Sequence, residues 1–471
     1  MRRSTARRGS RRRCFVALVV VAVVAVGVGS SLQLRGSPPG PIEESEEVEG
    51  LAEREPVTHR PTVEAAFAAE SYRPGVMARL VLFDDASTVT LRLYRVGDAP
   101  GVLRARDVMR GKQVGATRRL ARVSRGQAIP IRVGSRWPSG LYYAQLNAPR
   151  NRVGYAPFVL APRRLGGHRV AVVMPTQTWQ AYNFRDDDGN GTGDSWYASP
   201  GVSTARLHRP FENRGVPGHY RYYDEPFLRW LDHNDYPVDF LSDAELKATS
   251  GRALARAYEL IVFPGHHEYV TAHEFDAVTD FRDRGGNLMF LSANNFYYEI
   301  TIAGDVMTRI DQWRDLGRPE AALVGVGYFD YDAAGRGGSP WTLRRSTAGR
   351  WIFRGTGLRP GSPFSSGGIE ADHTSSASPP GTQIIAEIVD VFGSGRNAQM
   401  TYYRAPSGSR VFAAGAFSLA CSVWQPPVQQ MMANLFNVLA PSASPLRIGG
   451  EPAPARVPTR GALVATRGSD S

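Results

Sequence analysis

Residues 258–263 read YELIVF, and residues 264–269 read PGHHEY. The first six residues form an apolar run of the length and composition typical of a strand buried on both faces. Two imidazoles and one carboxylate, those of His266, His267 and Glu268, follow this run directly. In open parallel sheets, ligands bind beyond the carboxyl ends of the strands, because the loops there are free of ladder hydrogen bonds. The stretch therefore predicts an α/β domain with a functional site at this strand end.

The pattern around this stretch alternates between strand, loop and helix from His168 onward. Periodicity predicts strands at Val170–Met174, Val238–Leu241, Leu260–Phe263 and Asn287–Ser292, and helices at Glu225–Asn234, Ala272–Arg284 and Pro427–Leu439. Gly285 and Gly286 end the second of these helices as C-cap residues do. The alternation predicts a three-layer α/β domain with a mostly parallel sheet over residues 164–440.

Residues 63–163 have a different pattern, in which short alternating apolar runs are separated by Gly, Pro, Asp and Asn turns. The predicted strands are Val76–Phe83, Thr88–Tyr94, Ile129–Val133, Gly140–Leu146 and Tyr155–Leu160. This pattern favours a β-sandwich of immunoglobulin type. The basic stretch Arg104–Arg125 is interpreted as a solvated loop. The sandwich carries no catalytic cluster, so we expect it to act as a spacer or lid.

The chain begins with an arginine cluster, followed by a run of mainly Val, Ala and Gly from Cys14 to Ser31. Residues 1–31 are therefore either a cleaved signal peptide or a single membrane anchor. In both cases we expect the rest of the protein to leave the cytoplasm, as a cell-membrane protein with an extracytoplasmic domain or as a secreted protein. Residues 32–62 and 441–471 have compositions that predict a disordered linker and a disordered tail.

The charge of the chain gives no support for nucleic-acid binding. The formal net charge is +12, but seven of the arginines precede the first apolar run, and the rest of the chain carries only +5. This excess of positive charge is weak, and the sequence has no basic stripe rich in aromatic residues. Charge therefore gives no reason to expect binding of DNA or RNA. The chain has two cysteines, Cys14 and Cys421, neither of them in a strand-to-helix turn. We therefore expect neither a structural disulfide nor a thiol nucleophile.

Three motifs fall in order on the predicted strand ends. Residues 180–183 read QAYN, residues 265–269 read GHHEY and residues 285–294 read GGNLMFLSAN. Over roughly residues 65–440 the chain resembles the large subunit of N,N-dimethylformamidase and its relatives. The resemblance implies a fold similar to class I glutamine amidotransferases, which is flavodoxin-like. It also implies one ferric iron held by two tyrosines and one glutamate, and hydrolysis of the C–N bond of a small amide.

Carried over by motif, the resemblance assigns Tyr182 and Glu268 as metal ligands. It assigns His266 and Asn294 as groups that orient the substrate and hold the developing oxyanion. Glu370, in the GGIEAD motif, would be the catalytic carboxylate that takes a proton from water and returns it to the departing amine. Phenolate and carboxylate oxygens are hard donors that suit ferric iron, which polarises a carbonyl or activates water.

The chain departs from the family pattern at the second tyrosine. That tyrosine follows an Arg-Pro pair in the family, whereas residues 209–211 here read Arg-Pro-Phe, and Phe211 offers no oxygen to a metal. Nearby tyrosines are the candidate substitutes: Tyr220, Tyr222 and Tyr223. His267 stands where the family has an aspartate, and it either supplies a compensating nitrogen or faces solvent.

The same residues have plainer interpretations. His266 and His267 fit hydrogen-bonded loop histidines, and Glu268 fits a carboxylate that stabilises the start of the next helix. Tyr182 fits an ordinary core aromatic residue, and Glu370 fits a solvated acid in a Gly/Ser-rich loop. The alternative function is therefore a non-catalytic extracellular or cell-surface binding protein that keeps the fold and has lost the metal.

The partners expected under the enzyme hypothesis are a small amide substrate and either a small partner subunit or a second copy of the chain. The resemblance implies the small subunit, because the formamidases work with one.

A second metal hypothesis concerns residues 186–194, which read DDDGNGTGD. Oxygen donors at alternate positions and glycine at the sharp turn are typical of the start of a calcium loop. Tyr197 occupies the twelfth position, where such loops have a bidentate glutamate. The segment is therefore either a calcium site or an Asp/Gly-rich turn.

Overall fold

The computed structural model describes residues 60–97, 107–198, 202–332, 338–346 and 349–442. The predicted signal or anchor, and almost all of the predicted linker and tail, lie outside these residues. Within the described part of the chain, no helix is long and apolar enough to cross a membrane. The export of the protein stays a prediction.

The N-terminal body contains two sheets. Its strands are β1 (Ala65–Phe67), β2 (Ser71–Tyr72), β3 (Met77–Leu82), β4 (Ala86–Val96), β5 (Gly111–Val123), β6 (Ala128–Arg132), β7 (Gly140–Ala148) and β8 (Arg152–Leu160). One sheet has the order β1-β3-β6 and the other β2-β8-β7-β4-β5. A cluster of buried apolar residues from both sheets forms their core. All five predicted strands are confirmed, and the assignment to the immunoglobulin type stays a prediction.

The interpretation of Arg104–Arg125 as a solvated loop is wrong for residues 111–123, which form strand β5. This strand pairs antiparallel with β4, and Leu91 lies opposite Arg118. Most of its side chains are exposed, because β5 is the edge strand of its sheet. Ladder hydrogen bonds are made by the backbone, so a strand with largely solvated side chains leaves little apolar alternation in the sequence.

The second body combines a large mixed sheet, a four-stranded sheet and helices. Its strands are β9 (Val170–Met174), β10 (Thr204–Arg206), β11 (Val238–Ser242), β12 (Leu260–Phe263), β13 (Tyr269–Thr271), β14 (Asn287–Phe290), β15 (Tyr298–Ala303), β16 (Val306–Gln312), β17 (Gly327–Tyr331), β18 (Ser339–Leu343), β19 (Pro363–His373), β20 (Gln383–Ile388), β21 (Ala398–Arg404), β22 (Arg410–Ala413) and β23 (Ala416–Phe417).

The helices are α1 (Thr176–Ala181), α2 (Tyr220–Tyr223), α3 (Glu225–His233), α4 (Asp243–Lys247), α5 (Gly251–Ala257), α6 (Ala272–Asp283), α7 (Ala321–Val324) and α8 (Pro426–Leu439). The predicted helices α3, α6 and α8 are confirmed to within one residue at each end. A capping box begins α6, because Thr271 and Glu274 exchange hydrogen bonds with each other's backbone. Just beyond its last turn, Gly285 adopts a φ of +95°, which glycine tolerates best.

The large sheet is parallel in one half and antiparallel in the other. Strands β11-β9-β12-β14-β22 are parallel, and the order then continues antiparallel through β21, β20, β18, β19 and β17. The antiparallel half was not predicted, because bulges interrupt its pairing and the Ser and Gly residues of β19 hide the apolar alternation. The comparison with glutamine amidotransferases stays a prediction.

Strand register explains why the site forms where it does. Leu260 of β12 lies opposite both Val170 of β9 and Asn287 of β14. All three strands run in the same direction and are buried, so their carboxyl ends meet at one edge of the sheet. The loops that follow them therefore converge in space.

The two bodies share one core and several polar contacts. Buried residues of the sandwich, including Tyr143 and Tyr155, belong to the same apolar cluster as Val170 and Phe227 of the second body. The Thr176 hydroxyl donates a hydrogen bond to Glu70 Oε2 at 2.6 Å, which joins the sandwich to α1. The sandwich is therefore packed against the α/β body rather than tethered to it.

Candidate active site and metal centre

The centre of the site is a hydrogen bond between Tyr182 and Glu268. Tyr182 follows the last residue of α1, and Glu268 lies in the loop between β12 and β13. The Tyr182 hydroxyl donates to Glu268 Oε2 at 2.7 Å, and both side chains are buried. The structure thus brings together the two residues that the sequence assigned as metal ligands.

Tyr197 is the third oxygen donor in this cluster. Its hydroxyl lies 3.1 Å from the Tyr182 hydroxyl and 3.5 Å from Glu268 Oε1. The rings of Tyr182 and Tyr197 are stacked, with centroids 4.6 Å apart. Sequence reasoning missed this role and treated Tyr197 only as the twelfth residue of a calcium loop. The sequence feature that could have indicated this role is the aromatic pair Trp196 and Tyr197, which follows the polar segment that begins shortly after Tyr182.

Two of the aromatic residues around the family's second tyrosine position contribute to packing. Phe211 contacts Trp179 edge-to-face at a centroid distance of 6.3 Å, and Tyr220 contacts the same indole at 6.4 Å. Among the described residues, the buried Tyr220 hydroxyl has no hydrogen-bond partner. Tyr223 stacks on His219 at 5.1 Å. The structure therefore favours Tyr197 as the second phenol oxygen beside Glu268.

His266 connects the two glutamates of the site. Its Nε2 lies 3.3 Å from Glu268 Oε2 and 3.5 Å from Glu370 Oε2. Burial, with smaller contributions from His219 and His267, holds the pKa of His266 well below its usual range. The ring is therefore neutral at physiological pH. The ring also makes a hydrogen bond with the backbone of Asn294.

Glu370 lies in a strand, and its assignment to a solvated Gly/Ser-rich loop is wrong. It belongs to β19 and is fully buried. The pairing register between β19 and β23 shifts between Gly368 and Ala371, which is a bulge. Ile369 has a φ of +69°, a strained backbone conformation for a β-branched residue. Bulges re-aim side chains beside functional sites, and here the bulge accompanies a carboxylate directed at His266.

Asn294 borders the same cluster after β14. Its backbone has a φ of +50°, and its N–H donates to Asp372 Oδ1 at 2.9 Å. The side-chain amide is buried, and neither its oxygen nor its nitrogen has a hydrogen-bond partner within the described part of the chain. Burial raises the pKa of Asp372 to about 7. Asn294 thus presents an amide that is held in place only through its backbone.

His267 neither supplies a ligand beside Glu268 nor faces solvent, so both expectations for it are wrong. The ring is fully buried, and its Nε2 lies 2.5 Å from Asp243 Oδ1 at the start of α4. The ring also packs against Phe263 with centroids 4.9 Å apart. Adjacent residues of an extended segment point in opposite directions, so His266 and Glu268 share one side and His267 faces the other.

A threonine fixes the loop that carries Glu268. Thr178 Oγ1 accepts hydrogen bonds from the backbone N–H groups of Glu268 at 3.1 Å and Tyr269 at 3.3 Å. The backbone N–H of Tyr297 donates to the Glu268 carbonyl at 2.9 Å. The interpretation of Glu268 as a helix cap is also wrong, because Thr271 caps α6. Glu268 is therefore held by its backbone, and its carboxylate points into the cluster.

A small cavity of about 20 Å³ opens beside the cluster. Tyr182, His266, His219, Tyr223 and Asp224 contribute to its lining. The cavity has room for about one water molecule beside the cluster.

The donor set fits a ferric ion. Two phenol oxygens and the two carboxylate oxygens of Glu268 come from three separate segments, and the distances between them are 2.7–3.5 Å in a buried place. These are hard oxygen donors of the kind that iron(III) prefers. Tyr182, Tyr197 and Glu268 are the residues that would hold the ion.

The acidic segment after Tyr182 folds as a turn. Oxygens of Asp186, Asp188 and Asp194 lie within 4.8 Å of one another, and Asp186 accepts hydrogen bonds from the backbone of Gly189 and Gly191. Both the calcium and the turn interpretation are compatible with this arrangement. Calcium binding stays a prediction.

The fold and the cluster together define a mixed α/β protein with a buried site of phenol and carboxylate oxygens at the parallel strand ends. The chain belongs to the N,N-dimethylformamidase beta subunit-like family, whose C-terminal region matches residues 116–429. This match confirms the resemblance drawn from the motifs.

Curated relatives are similar over a shorter stretch. The N,N-dimethylformamidase beta subunits of Alcaligenes sp. and Paracoccus aminophilus are both 29% identical over 136 residues. The alignments cover 29% of this chain and 17% of each relative, so most of the relatives' length lies outside the matched region.

Solved structures add no information about the fold. A cycloisomaltooligosaccharide glucanotransferase of Paenibacillus sp. matches 26% of this chain and 18% of its own, at 16% identity and a TM-score of 0.15. A superoxide reductase of Ignicoccus hospitalis matches 22% of this chain and 80% of its own, at 14% identity and the same score. Similarities this weak carry no argument.

Proposed function

We propose that this protein hydrolyses the C–N bond of a small amide with the help of one iron ion held by Tyr182, Tyr197 and Glu268. The observation that carries the proposal is the meeting of these three oxygen donors in one buried cluster beside a pocket. Membership of a dimethylformamidase-like family supports a hydrolase that acts on amides.

When bound, a ferric ion would polarise the amide carbonyl or lower the pKa of a water molecule at the site. Glu370 takes a proton from the attacking water as the C–O bond forms, and returns it to the amide nitrogen as the C–N bond breaks. The products are a carboxylic acid and an amine. Glu370 suits this task because it is buried next to His266 and is held in a strand.

Asn294 is the donor available to the developing oxyanion. Its Nδ2 is buried, and within the described residues it has no competing acceptor. His266 has a different task, because its Nε2 lies 3.3 Å from the carboxylate of Glu268 and 3.5 Å from that of Glu370. We infer that His266 holds the carboxyl groups of Glu268 and Glu370 in position and shares a proton with them.

The alternative, a binding protein that has lost the metal, has less support than before. It depended on Phe211, which deprives the family's second ligand position of an oxygen. The Tyr197 hydroxyl, 3.1 Å from that of Tyr182 and 3.5 Å from Glu268 Oε1, supports a replacement of that oxygen.

We also propose a partner for the chain, either a small subunit or a second copy of the same chain. The support is that both curated relatives are named as beta subunits. Size measurement of the protein purified from its native source separates the cases, since a small subunit would co-purify at a fixed ratio.

The function is tested by metal analysis combined with an amine-release assay across small formamides and acetamides. We expect about one iron per chain, and amine release that depends on it. Both should disappear in Glu268→Ala and persist in Glu299→Ala, which removes a half-buried glutamate of β15. Intact protein that binds no iron when iron is supplied would favour the binding protein instead.

A further inference from the structure

The segment from Leu343 to Pro360 is strongly basic. It contains five arginines: Arg344, Arg345, Arg350, Arg354 and Arg359. No aspartate or glutamate occurs between Asp332 and Glu370. The net charge of the whole chain hides this local excess, because acidic residues elsewhere offset it. The segment therefore carries a concentration of positive charge that the overall balance does not reveal.

All five of these arginines line one open cleft, which has a volume of about 770 Å³. The cleft lies between the end of β18, a short 3-10 helix at Arg350–Phe353 and the loop that leads to β19. Leu343, Trp351 and Leu358 add apolar surface to its wall. No aspartate or glutamate is among the described residues that line it. Its volume is in the range of pockets that hold small molecules.

The positive charges of the cleft are only partly neutralised within the protein. Arg344 Nε lies 3.0 Å from Glu387 Oε2 and forms an ion pair with it. The side chains of the other four arginines have neither an ion pair nor a hydrogen bond within the described part of the chain. Like charges gathered in one concave surface create a positive potential that attracts anions. A multiply charged anion would therefore be stabilised in this cleft.

The protein core holds the frame of the cleft in place. Ile352 and Phe353, in the middle and at the end of the 3-10 helix, are buried in the large apolar cluster of the α/β body. Asn434 of α8 donates hydrogen bonds to the carbonyl oxygens of Ile352 at 2.9 Å and Arg354 at 2.7 Å. Arg350 and Arg354 are thus fixed at their backbone on either side of buried residues. A ligand does not have to order this part of the chain, which favours binding.

We propose that this cleft binds a small ligand that carries two or more phosphate groups. Guanidinium groups donate paired hydrogen bonds whose geometry matches phosphate oxygens. A phosphate monoester carries a charge of about −2 near neutral pH, so two such groups match the arginines that have no partner. Trp351 and the apolar wall are available to the organic part of the ligand. The cleft shares no lining residue with the cluster of Tyr182 and Glu268, so the proposal does not depend on amide hydrolysis.

The inference is tested by calorimetric titration of inorganic pyrophosphate and of adenosine diphosphate into the full chain. We expect both to bind, and added salt to weaken the binding because the arginines are exposed. The Kd should rise roughly tenfold in Arg350→Ala and in Arg354→Ala, as expected for loss of a hydrogen bond to a charged group. Arg350→Lys keeps the charge and loses the paired hydrogen bonds, so its Kd should lie between those of wild type and Arg350→Ala.

Arg252→Ala is the matched control. Arg252 is an exposed arginine of α5 and does not line the cleft. Its removal should leave both Kd values unchanged. The inference is overturned if neither probe binds at millimolar concentration, or if Kd stays within about twofold of wild type in both cleft alanine variants. Equal weakening in Arg252→Ala would also overturn it, because the attraction would then belong to the surface charge as a whole.

The phosphate groups belong either to a free phosphate ester or to the headgroup of an anionic lipid, and vesicles distinguish the two sources. Sedimentation is compared between phosphatidylcholine vesicles with and without cardiolipin, whose headgroup has two phosphates. Binding that requires cardiolipin, is displaced by pyrophosphate and is lost in Arg350→Ala supports the lipid. Binding of the two soluble probes without any binding to vesicles supports the free phosphate ester.

Discussion

At the scale of single residues, the site depends on one phenol that the sequence did not identify. The Tyr197 hydroxyl completes a set of three oxygen donors with Tyr182 and Glu268. We predict that Tyr197→Phe lowers iron content well below one per chain, because two protein oxygens hold the ion poorly. Metal analysis, together with loss of the visible absorption of an iron–phenolate complex, measures the effect.

Tyr220→Phe is the matched control for this prediction. Tyr220 was a candidate ligand in the sequence, and its hydroxyl is buried without a hydrogen-bond partner in the described part of the structure. Its removal should leave iron content and absorption unchanged. The assignment of Tyr197 would be wrong if Tyr220→Phe lost the iron and Tyr197→Phe kept it.

Asp372 supports a prediction about stability and pH. Burial raises the pKa of its carboxyl group from the usual 3.8 to about 7 in the folded state. The folded state therefore binds this proton more tightly than the unfolded chain does. The resulting stability is fully present below the unfolded pKa and is lost as the pH rises through about 7.

Asp372→Asn should remove this pH dependence and keep the acceptor for the Asn294 N–H. We expect its unfolding free energy, relative to wild type, to be higher near pH 8 than near pH 5 by about 2 kcal/mol. Urea denaturation at the two pH values measures the difference. Parallel pH profiles for the two proteins would show that Asp372 ionises normally.

At the scale of secondary-structure elements, the site is assembled from loops that follow buried strands. Thr178, on α1, accepts hydrogen bonds from two backbone N–H groups of the Glu268 loop. Thr178→Val leaves both groups buried without that acceptor. We predict a loss of about 1–3 kcal/mol in unfolding free energy, with weaker iron binding, measured by denaturation and metal titration.

Thr178→Ser separates the hydroxyl from the methyl group. Serine restores the acceptor oxygen, so iron binding should return to near wild type even if some stability is lost. Equal loss of iron binding in both variants would indicate that packing of the methyl group, rather than the hydrogen bonds, holds the loop.

At the scale of the whole molecule, the two bodies share a core. Leu141 of the sandwich belongs to the same buried cluster as Val172 and Leu231 of the α/β body. We therefore predict one cooperative unfolding transition in calorimetry. Leu141→Ala should shift the whole transition to lower temperature, at a cost of about 2–5 kcal/mol.

Two transitions, of which only the earlier one moves in Leu141→Ala, would contradict this prediction. The sandwich would then be an independent domain that is stable by itself, as its expected role of a spacer or lid requires. A single transition would instead make the sandwich part of the scaffold that supports α1, to which Glu70 is bonded.

The amino-acid sequence by itself determined the family, the long helices and the position of four parallel strands of the large sheet, β9, β11, β12 and β14, but not that of β22. These features depend on local periodicity, capping and short motifs, which are visible within a dozen residues. Local patterns also pointed to Tyr182, His266 and Glu268. His266 and Glu268 lie just beyond the end of one predicted buried strand, and Tyr182 lies in the segment that follows another.

Only the tertiary structure decided how distant segments meet. It brought Tyr197 to Glu268, placed Glu370 in a bulged strand and turned His267 to Asp243. These contacts join residues far apart in the chain, so no local pattern specifies them. They arise because strand register and burial determine which loops lie next to one another. Charge, hydrogen bonding and the available space then determine the positions of the side chains in those loops.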